Sequence, residues 1–90
     1  MNSEALEIFR NNLLIQLAGA STMGLTAKTL RLGARLAGIS VDGDDDVLAE
    51  VQYLIDKQFA ASCVKAMSPE NQRWRITADG RDYLATQGLL

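Results

Sequence analysis

The strongest constraint in this chain is a change of hydrophobic period late in the sequence. Up to Phe59 the apolar residues recur at spacings of three and four, whereas Arg73-Trp74-Arg75-Ile76-Thr77 alternates strictly between polar and apolar before helical spacing resumes. A period of about 3.6 residues marks a helix burying one stripe, and alternation marks a strand burying one face. A short strand region among helices reads as a hairpin added to a mainly helical domain. With 90 residues there is room for one core, because a domain usually takes about 100–200 residues. A chain this short buries only roughly 60–65% of the surface its unfolded form exposes, so sheet and helices must share that core. A content of 48% apolar residues is enough to supply it.

The first helix is expected over residues 3–18, with Leu6, Phe9, Leu13 and Leu17 as its stripe and Ile8, Leu14 and Ile15 widening it. Ser3 is the expected N-cap, Glu4 and Glu7 lie near the positive end of the dipole, and Gly19 suits the C′ position. A loop follows, with a short extended piece at Met23-Gly24-Leu25. Thr26 caps a second helix to about Ala37, closed by Gly38. Leu30, Ala34 and Ala37 share one side of it, and Lys28, Arg31 and Arg35 form a basic stripe on another. After the turn Ile39-Ser40-Val41-Asp42-Gly43, the residues Asp44, Asp45 and Asp46 open a third helix. Its apolar positions are Val47, Leu48, Val51, Leu54, Ile55 and Phe59, which leaves Asp46, Glu50, Tyr53 and Lys57 outside.

Residues 60–67, with Cys63 and Val64, precede a turn at Ser68-Pro69-Glu70-Asn71, and the alternating segment completes a hairpin. Thr77 caps a fourth helix from Ala78 to about Gln87, with Tyr83 and Leu84 inward and Gly88 ending it. The order is therefore helix, short extended piece, helix, helix, strand, turn, strand, helix. The class is α+β, mainly α with a small β-hairpin at about residues 60–77, in a single domain over residues 1–90. No repeat, low-complexity stretch or linker interrupts it.

This order resembles the winged helix-turn-helix. The stretch LIDKQFAASCVKAMSPENQRWRITADGRDYL looks like the recognition-helix end, wing and closing helix of bacterial regulators of the MarR and PadR kinds. Within it, Trp74-Arg75-Ile76-Thr77-Ala78-Asp79-Gly80-Arg81-Asp82-Tyr83-Leu84 matches the closing pattern Trp/Tyr-x-Leu/Ile-Thr-x-x-Gly-x-x-x-Leu of those domains. Size and layout are also similar to small winged-helix proteins of bacteriophages and Mu-like prophages. Element order carries the resemblance over nearly the whole chain, and sequence detail carries it over residues 47–84. Such patterns identify a fold better than a function.

Several chemistries are excluded by composition. Without His there is no Ser-His-Asp or Cys-His group, and one Cys cannot supply a zinc site, so neither an enzyme nor a cofactor is expected. Cys63 is expected to be a buried strand residue without chemistry, and a single thiol fits a reducing cytoplasm. The acidic start and the short aliphatic run Leu13-Leu14-Ile15 argue against a secretory leader or membrane partner, so the expected location is cytoplasmic. Asp42, Asp44 and Asp46 occupy positions one, three and five of a conceivable calcium loop. Val47 stands where that loop needs Gly and Tyr53 where it needs Glu, so the test fails and Asp44 or Asp45 reads as a helix cap.

What remains is charge placement. The resemblance implies phosphate contacts from the stripe Lys28, Arg31 and Arg35, and phosphate or minor-groove contacts from Lys65, Arg73 and Arg75 on the wing. The plain alternative is a solvated helix face and a hairpin kept soluble by its charges. No carboxylate lies between Arg10 and Asp42, so the stripe has no local partner in sequence. Alternation sends Arg73 and Arg75 outward and Trp74 into the core. Against this stands the third helix, which would enter the major groove yet opens with three Asp and offers only Gln52 and Tyr53 as base contacts. Residues 1–41 carry +2, residues 42–56 carry −6 and residues 57–90 carry +2, within a net charge of −2. The expected function is thus a small duplex-DNA-binding protein, a bacterial or phage transcriptional regulator working through helix two, helix three and the wing. It would act as a homodimer joined by helix one, helix four and the tail Gly88-Leu89-Leu90. The alternative is a protein-interaction module that docks through the acidic third helix.

Overall fold

The computed structural model describes residues 1–90. Four helices and three short strands follow in the order α1 (Ser3–Gly19), β1 (Leu25–Thr26), α2 (Ala27–Leu36), α3 (Asp44–Asp56), β2 (Ala60–Ser62), β3 (Arg73–Ile76) and α4 (Ala78–Thr86), with a 3-10 turn at Pro69–Asn71. The class is α+β. The strands form one antiparallel sheet in the order β1-β3-β2, with Leu25 opposite Trp74 and Ala60 opposite Ile76. No helix is long and apolar enough to cross a membrane.

A single cluster of fourteen buried apolar residues joins every helix to the sheet. Phe9, Leu13, Leu14 and Leu17 line α1, Leu30 and Ala34 line α2, and Val47, Val51 and Leu54 line α3. Trp74 and Ile76 enter from β3 and Leu84 from α4. The expected stripes were too wide. Ile8 and Ile15 on α1 and Leu48 on α3 are exposed, because each lies beside a buried neighbour rather than on the stripe itself.

The helix starts depart from expectation in two places. Asn2, not Ser3, caps α1, its side-chain oxygen accepting from the Ala5 N–H at 2.8 Å. Neither Asp44 nor Asp45 caps α3: the N-cap is Gly43, and the Asp46 carboxylate instead accepts from the Asp42 N–H at 3.0 Å. Thr26 and Thr77 cap α2 and α4 as expected, accepting from Thr29 and Gly80.

Three of the helix ends share one device. In each, the second residue past the cap donates to the carbonyl five positions back: Ile39 to Ala34, Phe59 to Leu54 and Leu89 to Leu84. The residue between must take a left-handed conformation, and Gly38 and Gly88 do so in α2 and α4. In α3 that residue is Gln58, at φ 67°. The third helix therefore stops before Phe59, which leaves the helical stripe and stacks on Tyr83 with ring centroids 4.8 Å apart. Gly19 is simply the last residue of α1, with Ala20 as its C-cap, and Ala37 is the C-cap of α2 rather than part of its apolar side.

The sheet is positioned by two close approaches. At Gly24, φ is +76° and a Cβ would lie 2.1 Å from the Trp74 carbonyl oxygen. At Gly80, a Cβ would lie 2.2 Å from the Phe59 carbonyl oxygen. Cys63 falls just past β2, half-buried rather than buried in a strand, with its thiol 3.6 Å from the Met23 carbonyl.

Candidate nucleic-acid interface

The cations divide by whether a carboxylate reaches them. Of nine Lys and Arg side chains only two are paired, Arg10 with Glu50 at 2.6 Å and Arg31 with Asp44 at 3.1 Å. The Arg10 guanidinium also lies over the Tyr53 ring, 3.6 Å from its centroid. Tyr53 is thus turned towards α1 and held there, which removes it from the set of free contacts on α3.

The stripe on α2 is not uniform. Lys28 is exposed at the start of the helix and lines a groove with Asp44, Leu48, Glu70 and Asn71, between the N-termini of α2 and α3 and the hairpin connection. Arg31 is half-buried against Asp44, so the stripe is partly neutralised in space although no carboxylate is near it in sequence. Its Nε makes no hydrogen bond, so attraction without directional bonding holds that pair. Arg35 keeps its charge but aims its guanidinium at the Val41 carbonyl, donating from Nε at 3.1 Å and from Nη2 at 2.9 Å. Arg31 and Arg35 therefore fasten the connection between α2 and α3.

On β3 the alternation has its expected result. Arg73 and Arg75 are exposed while Trp74 and Ile76 are buried. Arg73 donates to the Gly24 carbonyl at 3.1 Å, which orients the side chain without cancelling its charge. Arg75 shares a recess with Ser21, Thr22 and Arg81, and Arg81 reaches the Ala18 carbonyl at 3.4 Å near the negative end of the α1 dipole. Arg81 was not legible as a partner for Arg75, since a strand end and a helix start separate them and no spacing rule spans that junction. Lys65 is exposed on the connection between β2 and β3.

The six expected cations thus form three groups. Lys28 and Lys65 belong to the groove and the hairpin connection, Arg73 and Arg75 to the outer sheet face, and Arg31 and Arg35 to the turn before α3. Adjacent pairing of β1 with β3 sets Thr26 opposite Arg73, which brings the start of α2 towards the sheet cations. The acidic segment, by contrast, is largely occupied. Asp44 pairs with Arg31, Glu50 with Arg10, Asp46 takes a backbone N–H, and Asp56 accepts from the Gln52 amide at 2.9 Å. That last bond also engages Gln52, the other expected base contact. No group of three acidic or Cys side chains converges as metal ligands. The outward face of α3 consists of Asp45, Leu48, Ala49, Gln52 and Asp56, all exposed and none basic. No protein-family model, curated protein or solved structure matches this chain.

Proposed function

We propose that this protein is a winged-helix module that binds duplex DNA mainly through its backbone, as a small transcriptional regulator would. The observation that carries the reading is the pair Arg73 and Arg75, displayed without carboxylate partners on the central strand of a β1-β3-β2 sheet whose strands β2 and β3 follow the consecutive helices α2 and α3. Exposed Lys28 at the start of α2 and exposed Lys65 on the connection between β2 and β3 add positive charge, and Arg81 lies in the same recess as Arg75. Two of the six carboxylates in residues 42–56 are neutralised by cations within the fold, Asp44 by Arg31 and Glu50 by Arg10, which lowers the repulsion that their number suggests. Because the outer face of α3 carries no cation, weak sequence preference is expected, with phosphate contacts dominating affinity.

A homodimer would double those contacts. Ile8, Ile15, Ala37, Ile39 and Leu89 line an uncharged groove that suits a second copy, since like charges do not face each other there. Sedimentation as a monomer at high concentration would remove this part of the reading.

The test is fluorescence anisotropy with random-sequence duplex DNA. Binding should appear at about 50 mM salt and weaken steeply as salt rises, with a slope of roughly −0.9 per phosphate contacted. Absence of binding at high protein concentration sinks the proposal. It would favour a second reading, in which α3 docks on a basic protein partner, suggested by exposed Leu48 set between Asp45 and Gln52 on a face without cations.

A further inference from the structure

The connection between β2 and β3, residues 63–72, is short of apolar burial yet well braced. Gln72 ties it together: its Oε1 accepts from the Ala66 N–H at 3.2 Å, and its Nε2 donates to the Arg73 carbonyl at 3.0 Å and to the Cys63 carbonyl at 3.5 Å. The Cys63 N–H donates to the Arg73 carbonyl, and the 3-10 turn closes through Asn71 to Ser68 and Gln72 to Pro69. Ala66 is therefore drawn inward, and the residues beside it are pushed out. Val64 is 93% exposed and Met67 is fully exposed, the two most exposed large apolar side chains in the protein.

We propose that this braced tip is a wedge for duplex DNA: Met67, with Val64 and Lys65 beside it, enters the minor groove and partly unstacks one base step, bending the duplex. The inference rests on the DNA-binding reading above. Three features favour DNA over a protein surface as the occupant. Val64 and Met67 are separated along the chain by Lys65 and half-buried Ala66, so a cation interrupts the apolar sequence that protein docking would use. Exposed Lys65 stands between them in sequence, and Arg73 lies at the base of the connection, so a polyanion is attracted to the tip. Glu70, the one carboxylate in the connection, lines the groove beside Lys28. A methionine is also slender and flexible enough to occupy the gap opened in a stack whose ordinary rise is about 3.4 Å. Apolar wedges of this kind kink duplexes by roughly 20–90° towards the major groove.

The experiment uses the full chain and a duplex of about 25 base pairs with a central TA step, the most easily kinked kind. Both ends are labelled for energy transfer, and 2-aminopurine replaces the adenine of the TA step. Binding is followed in parallel by anisotropy. The wild type should bind, raise the energy transfer and brighten the 2-aminopurine. The double variant Val64→Ser with Met67→Ser should bind with the same salt slope, with affinity lowered roughly tenfold, and lose both the bend and the brightening. Met67→Leu should keep them. Wild-type binding without bending, or a serine variant that bends as fully as the wild type, overturns the wedge while leaving the DNA reading intact. Wild-type anisotropy that never changes overturns the DNA reading, and the wedge with it.

Discussion

Residues 42–56 and the strand β3 carry opposite charge, and they differ more in what that charge does than in its sign. On α3 and the turn before it, carboxylates are components of the fold. Glu50 anchors Arg10, Asp44 attracts Arg31, and Asp46 satisfies a backbone donor at the helix start. On β3, Arg73 adds one bond to the Gly24 carbonyl and Arg75 adds none, while the strand itself is fixed by Trp74, Ile76 and pairing on both sides. A large local charge is therefore a poor guide to a binding face. The informative quantity is what each charge is engaged with after folding: Arg31 and Arg10 neutralise Asp44 and Glu50, whereas no carboxylate reaches Arg73 or Arg75.

The largest effect should come from breaking the scaffold that presents the basic flank. Gly24→Val places a β-branched side chain at φ +76° and against the Trp74 carbonyl, on the residue whose own carbonyl receives Arg73. We expect a loss of about 3 kcal/mol or more in urea unfolding, since no rotamer relieves a backbone clash. A loss under about 1 kcal/mol would mean that β1 is not held against β3 as described. Next in size is the charge reversal Arg73→Glu with Arg75→Glu. It should lower duplex affinity by about a hundredfold at low salt and reduce the salt slope by about two phosphates. An unchanged slope would remove β3 from the interface.

A smaller effect sharpens the contrast directly. Glu50→Ala leaves a half-buried guanidinium with only the Tyr53 ring, and should cost about 1–2 kcal/mol, between the values for exposed and buried pairs. Arg75→Ala should stay within about 0.5 kcal/mol of the parent, because nothing in the fold depends on its charge. Equal losses in chemical denaturation would erase the distinction between structural and available charge.

The same contrast explains what was legible in sequence. Element order, the alternation at β3 and the caps Thr26 and Thr77 were readable because each rests on local rules. The end of α3 was not. Gly38 and Gly88 announce their helix ends, but Gln58 adopts the same left-handed conformation with no glycine to mark it, so Phe59 looked like one more position of the stripe. Gln58→Gly should therefore stabilise the protein by about 0.5–1 kcal/mol, the penalty that a side chain carries in that conformation offset by the greater freedom of glycine when unfolded. Thermal melting measures it, and a fall in stability would show that Gln58 contributes by a route other than its backbone. The pairing of Arg31 with Asp44 was equally hidden, since only the turn at residues 37–43 brings α2 back beside the start of α3.

The smallest effect decides the most about α3. Asp45 is exposed on the outward face and, unlike Asp44 and Asp46, has no partner in the fold. Asp45→Asn keeps the shape and removes one charge from the first turn, at a stability cost of about 0.5 kcal/mol through the helix dipole. Screening confines its influence on phosphates to about one Debye length, roughly 8–10 Å near physiological salt. If α3 lies against the duplex, removing this repulsion should tighten binding several-fold at constant salt slope, because the asparagine neutralises no phosphate of its own. If α3 faces away, affinity should change by less than about twofold. The first outcome makes the acidic helix a brake on DNA binding, set against the cations of β3. The second frees its outward face, with Leu48 at its centre, for a different partner while the basic flank holds the duplex.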